Sequence, residues 1–327
     1  MKPQSMIIGT GHQVPTRVLT NFDFEKIVST TNEWIVERTG IHERRIKEDH
    51  QNTSDFCVAA SQEALQEAGL EASAVDAILL ATVTGDMRFP STAIFVQSRL
   101  GAHQAAAFDI SAACAGFLYG LILGNALITT QQYRHVLVIG AESLSLITDW
   151  KDRATCVLFG DGAGAAVLAP ADNGRGILST YMGSDGRLAN LLCCPGGGTV
   201  HPISLESIQA GMHYLKMAGR EVFLHAVKAM CDSADRALEG AGMSPSDIDL
   251  LIPHQANIRI IDALAKRMNM PKEKVYVNID RFGNTSSASI PIALNEARRN
   301  GLLKPGMTCL MVAFGGGFTW ASTIVKF

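Results

Sequence analysis

The chain reads as an α/β protein built from two like halves, and three observations predict it. Residues 61–81 lie over 234–254 without a gap: Ala64 falls on Ala237, Leu65 on Leu238, Gly69 on Gly242, Ser73 on Ser246 and Asp76 on Asp249, a shift of 173. The same shift carries Leu137 onto Leu310 and Cys114 onto Ser287, so the register survives well beyond one helix. Each half also alternates amphipathic helices with short, near-continuous apolar runs, as strands covered on both faces require. Such a duplication predicts stacked layers of helix and sheet about a pseudo-twofold axis.

Taken in order, the first half is expected to form a helix over 54–67, strands over 77–80 and 105–110, a helix over 115–128, and strands over 136–139 and 163–168. The second half is expected to form helices over 221–238, 258–268 and 286–299, and strands over 250–252, 275–277, 309–313 and 321–326. The helices of the matched pair each run out near a glycine, Gly69 or Gly242, the residue best suited to a helix end. A turn-rich stretch over 170–176 sets the division into halves of 1–175 and 176–327, and 327 residues suit two units of about 150.

Composition narrows the function. Hydrophobic residues make up 47% and charged residues 18% of the chain, with a net charge of −3, which gives no support to a nucleic-acid or anionic-membrane surface. No apolar run is long enough to span a bilayer, no secretory leader is recognisable, and seven cysteines without framework spacing suit free thiols in the cytoplasm. Cys193 and Cys194 lack the partners of a metal site, so no metal is expected.

Chemistry is concentrated at three places. Cys114 follows the apolar run 105–110 and small residues Ala112 and Ala113, and stands at the front of the apolar helix. A thiol there faces the positive end of the helix dipole, which favours thiolate, and its own N–H is free to hold an oxyanion. A buried small hydrophobe is the alternative for this cysteine. His254 lies at the mouth of the 250–252 strand, fit for a hydrogen-bond donor or proton shuttle, or for a capping or core role. Asn284, in Gly283-Asn284-Thr285-Ser286, occupies the loop that the repeat sets opposite Cys114, where it could simply cap the next helix. Pseudo-twofold packing would bring these three to one central cleft.

At these residues the chain closely resembles β-ketoacyl-acyl-carrier-protein synthase III, the initiating condensing enzyme of type II fatty-acid synthesis within the thiolase-like superfamily. The resemblance spans essentially the whole length. It rests on Asn32-Glu33-Trp34-Ile35-Val36-Glu37-Arg38-Thr39-Gly40-Ile41, Ala112-Ala113-Cys114-Ala115-Gly116-Phe117, Phe159-Gly160-Asp161-Gly162-Ala163-Gly164, His254-Gln255-Ala256-Asn257, Gly283-Asn284-Thr285-Ser286 and Gly315-Gly316-Gly317-Phe318-Thr319-Trp320. It implies a five-layered αβαβα fold of the thiolase type. It also implies that Cys114 takes an acyl group from acyl-CoA, with acetyl as the expected primer. His254 and Asn284 would then stabilise the carbanion left when malonyl-acyl-carrier protein loses carbon dioxide. The N–H groups of Cys114 and Gly316 would form the oxyanion hole. Trp34 and Arg153 are implied to sandwich the adenine of CoA, with Thr30 and Arg38 as phosphate or nucleotide contacts and Asn257 at the pantetheine. Phe89 is implied to cross a homodimer interface and close the partner's acyl pocket. Arg259, Lys266 and Arg267 would face the acidic carrier protein. The family implies no cofactor beyond its thioester substrates, and no metal.

Other readings are a thiolase, a related acyltransferase or condensing enzyme of a specialised pathway, a silent dimer partner and a cysteine protease. A thiolase needs a second reactive cysteine near the glycine-rich C-terminal loop, which reads Phe314-Gly315-Gly316-Gly317-Phe318. A silent subunit usually lacks the nucleophile.

Overall fold

The computed structural model describes residues 5–172 and 174–327. Its first half carries a five-stranded sheet with the spatial order Ser5–Gln13, Asp161–Pro170, Val136–Ser143, Ala77–Ala81 and Ala106–Ile110. Its second half carries a four-stranded sheet ordered Leu250–Pro253, Thr308–Gly315, Thr319–Lys326 and Gly176–Ser184. The repeat is visible residue by residue in the ladders. Ile78 pairs with Leu137 in a parallel ladder, and Leu251, 173 positions after Ile78, pairs with Leu310.

Strand alternation builds three cores from two sheets. From Ala77–Ala81, Ile78 and Leu80 face an outer core with helices Thr53–Ala68 and Thr92–Leu100. Ala77 and Leu79 face the central core, which also takes Leu250 and Ile252 from the other sheet. Helices Gly116–Thr129 and Ser289–Arg299 fill that centre. Leu251 faces the second outer core, with helices Gly219–Ala241 and Ile258–Arg267. The layers therefore run αβαβα. Each fully buried Leu or Ile on these strands contributes about 1.5–3 kcal/mol.

Local chemistry sets the helix ends. Helix Thr53–Ala68 starts at a capping box between Asn52 and Asp55 and stops at Gly69 with φ +64°; its counterpart stops at Gly242 with φ +66°. Helix Gly116–Thr129 lies unusually close to its sheet. A Cβ on Gly120 would come within 2.6 Å of Val138, and one on Gly124 within 2.8 Å of Leu168.

Two expectations change. The segment 275–277 makes only an isolated bridge, Val275 to Leu251, rather than a strand. The Gln255 carboxamide takes over the rest of the ladder: its Nε2 donates to the Tyr276 carbonyl (3.1 Å), and its Oε1 accepts the Asn278 N–H (3.1 Å). The α-helix expected over 286–299 begins only at Ser289, preceded by a 3-10 turn, Ser286–Ala288. Among the described residues, no helix is long and apolar enough to cross a membrane.

Candidate active site

The site forms where the two halves exchange turns. The 3-10 turn Ala113–Ala115 precedes helix Gly116–Thr129 as Ser286–Ala288 precedes helix Ser289–Arg299. Both turns open with a non-glycine residue in the left-handed region, Ala113 at φ +46° and Ser286 at φ +48°. Such a backbone costs on the order of 1–3 kcal/mol and persists only where its surroundings hold it. Here each turn is held by the opposite half. Ser287 Oγ donates to the Ala81 carbonyl (2.9 Å), and Thr319 Oγ1 donates to the Ala112 carbonyl (2.8 Å).

One cavity of about 470 Å³ is lined by Cys114, His254, Asn284, Ser286 and Gly316, with Leu192, Leu215, Met217 and Phe223 among its apolar walls. The three residues singled out in the sequence therefore meet. Cys114 keeps one partly open face toward the cavity. Burial pushes its thiol up to about 11, against the pull of Ser286 and of the Cys114 and Gly316 N–H groups. The expected resting thiolate is thus corrected to a thiol: the short dipole contribution does not offset removal from water. Gly315 makes the close approach possible, because a Cβ there would lie 2.7 Å from the Cys114 nitrogen.

His254 is buried and pushed down to about 3 by desolvation, so its imidazole is neutral at ordinary pH. Its Nδ1 lies 2.6 Å from Ser289 Oγ, which also accepts the Gln255 N–H at 3.4 Å. In the tautomer in which the Ser289 hydroxyl donates to Nδ1, the imidazole proton sits on Nε2 as a donor. Asn284 Oδ1 accepts the Ser286 N–H (2.8 Å) beside the 3-10 turn, which leaves Nδ2 free of that bond in a side chain that lines the cavity. Its backbone is clamped from both sides by the first half, through Leu158 O (2.8 Å) and Gly160 N (3.0 Å). Two neutral donors facing a thiol, with an N–H pair at Gly316 and Cys114, suit stabilisation of developing oxyanions.

The other expected contacts are placed as follows. Trp34 carries Arg153 on its ring at 4.7 Å and Arg38 at 5.7 Å. A base would need Arg153 to swing away, since this spacing leaves no slot between them. Thr30 Oγ1 is buried without a hydrogen-bond partner. Asn257 caps helix Ile258–Arg267 through the Arg259 N–H (2.9 Å) and donates to the Arg38 carbonyl (3.0 Å), while also lining the cavity. Arg259, Lys266 and Arg267 are exposed on that helix; Arg267 stands 3.9 Å from Asp232. Phe89 is 86% exposed, with Met87 and Phe108 also open to solvent. Sequence reasoning missed two residues at this site, Ser286 in the cavity lining and Glu142 bonded to it. Ser286 looked like an ordinary helix start, and Glu142, buried beneath it, carried no local signal. Cys193 and Cys194, set aside from the sequence, line the cavity wall.

Fold and site together define a thiolase-fold enzyme with a cysteine in its central cavity. Residues 108–186 match the family described as 3-oxoacyl-(acyl-carrier-protein) synthase III, and residues 238–327 match its C-terminal description. The chain is 54% identical over 320 residues to a β-ketoacyl-acyl-carrier-protein synthase III of Caldanaerobacter subterraneus subsp. tengcongensis, covering 98% of this chain and 97% of that one. It is 51% identical over 320 residues to the protein of that name from Desulfitobacterium hafniense, covering 98% and 97%. Among solved structures, that of 3-oxoacyl-(acyl-carrier-protein) synthase III from Aquifex aeolicus superimposes with a TM-score of 0.93 at 49% identity, over 99% of this chain and 100% of the other. The chain belongs to the 3-oxoacyl-(acyl-carrier-protein) synthase III family, and so is a condensing enzyme of the acyltransferase class, of the kind that initiates fatty-acid synthesis.

Proposed function

We propose that Cys114 is acylated by a short acyl-CoA, with acetyl as the primer, and that His254 and Asn284 then drive decarboxylative condensation with malonyl-acyl-carrier protein. Sulfur attack on the thioester carbonyl places its oxygen between the N–H groups of Cys114 and Gly316, and CoA leaves. The malonyl thioester oxygen next sits between His254 Nε2–H and Asn284 Nδ2. Loss of carbon dioxide builds negative charge on that oxygen, and the carbanion attacks the acyl-Cys114 carbonyl to release the β-ketoacyl carrier protein. The observation that carries this reading is the joint lining of one cavity by Cys114, His254, Asn284 and Gly316.

Substrate entry follows the same reading. Trp34, Arg38 and Arg153 take the nucleotide of CoA, Thr30 gains a partner for its orphan hydroxyl, and Asn257 flanks the pantetheine. Arg259 and Lys266, two turns apart on one helix face, with Arg267, meet the acidic carrier protein. The exposed Phe89, and the exposed Phe108 on Ala106–Ile110, an edge strand among the described residues, support a homodimer in which Phe89 reaches the partner's acyl pocket. Free thiols suit the cytoplasm.

Half-reactions test the roles. Cys114→Ala abolishes the acyl-enzyme while the fold survives. His254→Ala permits acylation and slows carbon dioxide release from malonyl-carrier protein by about 10²–10³; full condensation activity in that variant would refute the assignment. Sedimentation equilibrium checks the dimer.

A further inference from the structure

Beneath the nucleophile lies a carboxyl group that none of the steps above uses. Glu142, in strand Val136–Ser143, is completely buried. Its hydrogen-bond partners are all uncharged: Thr84 Oγ1 (2.5 Å), the Val83 N–H (3.2 Å), Ser286 Oγ (3.2 Å), Ser287 Oγ (3.3 Å) and Thr82 Oγ1 (3.4 Å). Burying a carboxyl without a cation costs several kcal/mol when it ionises, so the position demands a reason.

The hydroxyls around it are not equivalent. Ser287 has a shorter acceptor in the Ala81 carbonyl (2.9 Å), and Thr84 Oγ1 already accepts the Ser143 N–H (2.7 Å). Ser286 is the one of these hydroxyl residues that lines the cavity together with Cys114. It is pinned there by its left-handed backbone and by the bond from its N–H to Asn284 Oδ1.

We propose that Ser286 and Glu142 form a proton relay for Cys114. As the sulfur attacks acyl-CoA, the thiol proton passes to Ser286 Oγ while the Ser286 proton passes to the Glu142 carboxylate. The S–C bond forms, the bond to CoA breaks, and the departing CoA thiolate takes a proton from water. In the condensation the carbanion displaces Cys114, and the stored proton returns from Glu142 through Ser286 to the sulfur. Each cycle thus restores both groups and consumes one solvent proton. Ser286 shares the cavity with the reacting sulfur, and Glu142 acts through Ser286.

Proton affinities agree with this division. His254, held near 3, is too weak a base for a thiol held near 11, whereas Glu142, raised to about 7 by desolvation, suits the task. The titratable groups around Glu142 are Cys114 from the nucleophile turn and Cys57 from helix Thr53–Ala68, with Asp86, Asp109 and Arg99 beyond Cys57; the Ser286–Ala288 turn contributes hydroxyls only.

The proposal rests on Cys114 being the acylated thiol, and the test separates the two. Rapid-quench acylation by acetyl-CoA, read as intact mass, is followed across pH for the wild type, Glu142→Gln, Ser286→Ala and the double variant. Each single variant is expected to slow acylation by about 10²-fold, the double no further than the slower single, since both act on one relay. The wild-type rate should rise through about 7, and Glu142→Gln should lack that rise. Should Glu142→Gln not fold, the wild-type profile and Ser286→Ala still decide. Wild-type acylation without an inflection near 7, additive losses, or a Glu142→Gln variant acylating at the wild-type rate would overturn the relay. No adduct on the wild type would overturn the nucleophile assignment and the relay with it.

Discussion

Replacing Asn284 by aspartate isolates one donor in the site. The side chain keeps its size, and the oxygen that accepts the Ser286 N–H at 2.8 Å survives. The backbone stays clamped by Leu158 O at 2.8 Å and Gly160 N at 3.0 Å, so the loop has no cause to move. What changes is the group at the cavity end, from an amide that donates to a carboxylate that repels. Loss of one preorganised oxyanion donor costs about 2.7–4 kcal/mol, or 10²–10³ in rate. Because Asn284 is only 7% exposed, burial favours protonation of the new carboxyl, so acid pH should return part of the loss. The assay separates the half-reactions: carbon dioxide release from labelled malonyl-carrier protein, and single-turnover acylation by acetyl-CoA. Asn284→Asp should slow the first by about 10²–10³ and leave the second within a few-fold of wild type. Equal losses in both would place Asn284 at the nucleophile rather than at the extender, and unchanged decarboxylation would remove it from the mechanism.

Three further expectations follow from the same geometry. Gly315→Ala puts a Cβ 2.7 Å from the Cys114 nitrogen and 3.1 Å from the Ala115 nitrogen, so calorimetry should show a loss of about 1–3 kcal/mol and acylation should slow with it. Arg153→Ala removes a cation held 4.7 Å from the Trp34 ring; KM for acyl-CoA should rise with kcat little changed, and a fall in kcat alone would contradict nucleotide binding there. The buried groups also set the pH dependence of stability. His254 has a folded value pushed down from 6.5 to about 3, so its contribution is present above 6.5 and lost as pH falls toward 3. Glu142, raised from 4.5 to about 7, contributes stability below 4.5 that is lost as pH rises through 7. Urea midpoints should show that His254→Gln flattens the acid side of the profile and Glu142→Gln the neutral side.

Much of the architecture was legible because duplicated packing leaves a duplicated apolar register. The shift that sets Ile78 on Leu251 and Leu137 on Leu310 could be read from sequence alone, and the ladders repeat it, Ile78 pairing with Leu137 as Leu251 pairs with Leu310. The 275–277 strand was misread because an apolar run cannot reveal that a side chain, Gln255, will take over its pairing. Cys114 stood out by its place before a long apolar helix, but the upward push on its thiol did not, since burial is a property of the assembled halves. Glu142 was invisible for the same reason: within its strand it follows an apolar run, and only the folded chain sets it under Ser286.

The central claim is that one thiol, Cys114, carries the acyl group. Intact-protein mass spectrometry with peptide mapping, after incubation with a panel of acyl-CoA esters, tests it most directly. A single acyl mass on Cys114, lost on addition of malonyl-carrier protein and largest for a short primer, is the predicted result. An unmodified chain, or an adduct on Cys193 or Cys194 in place of Cys114, would contradict it.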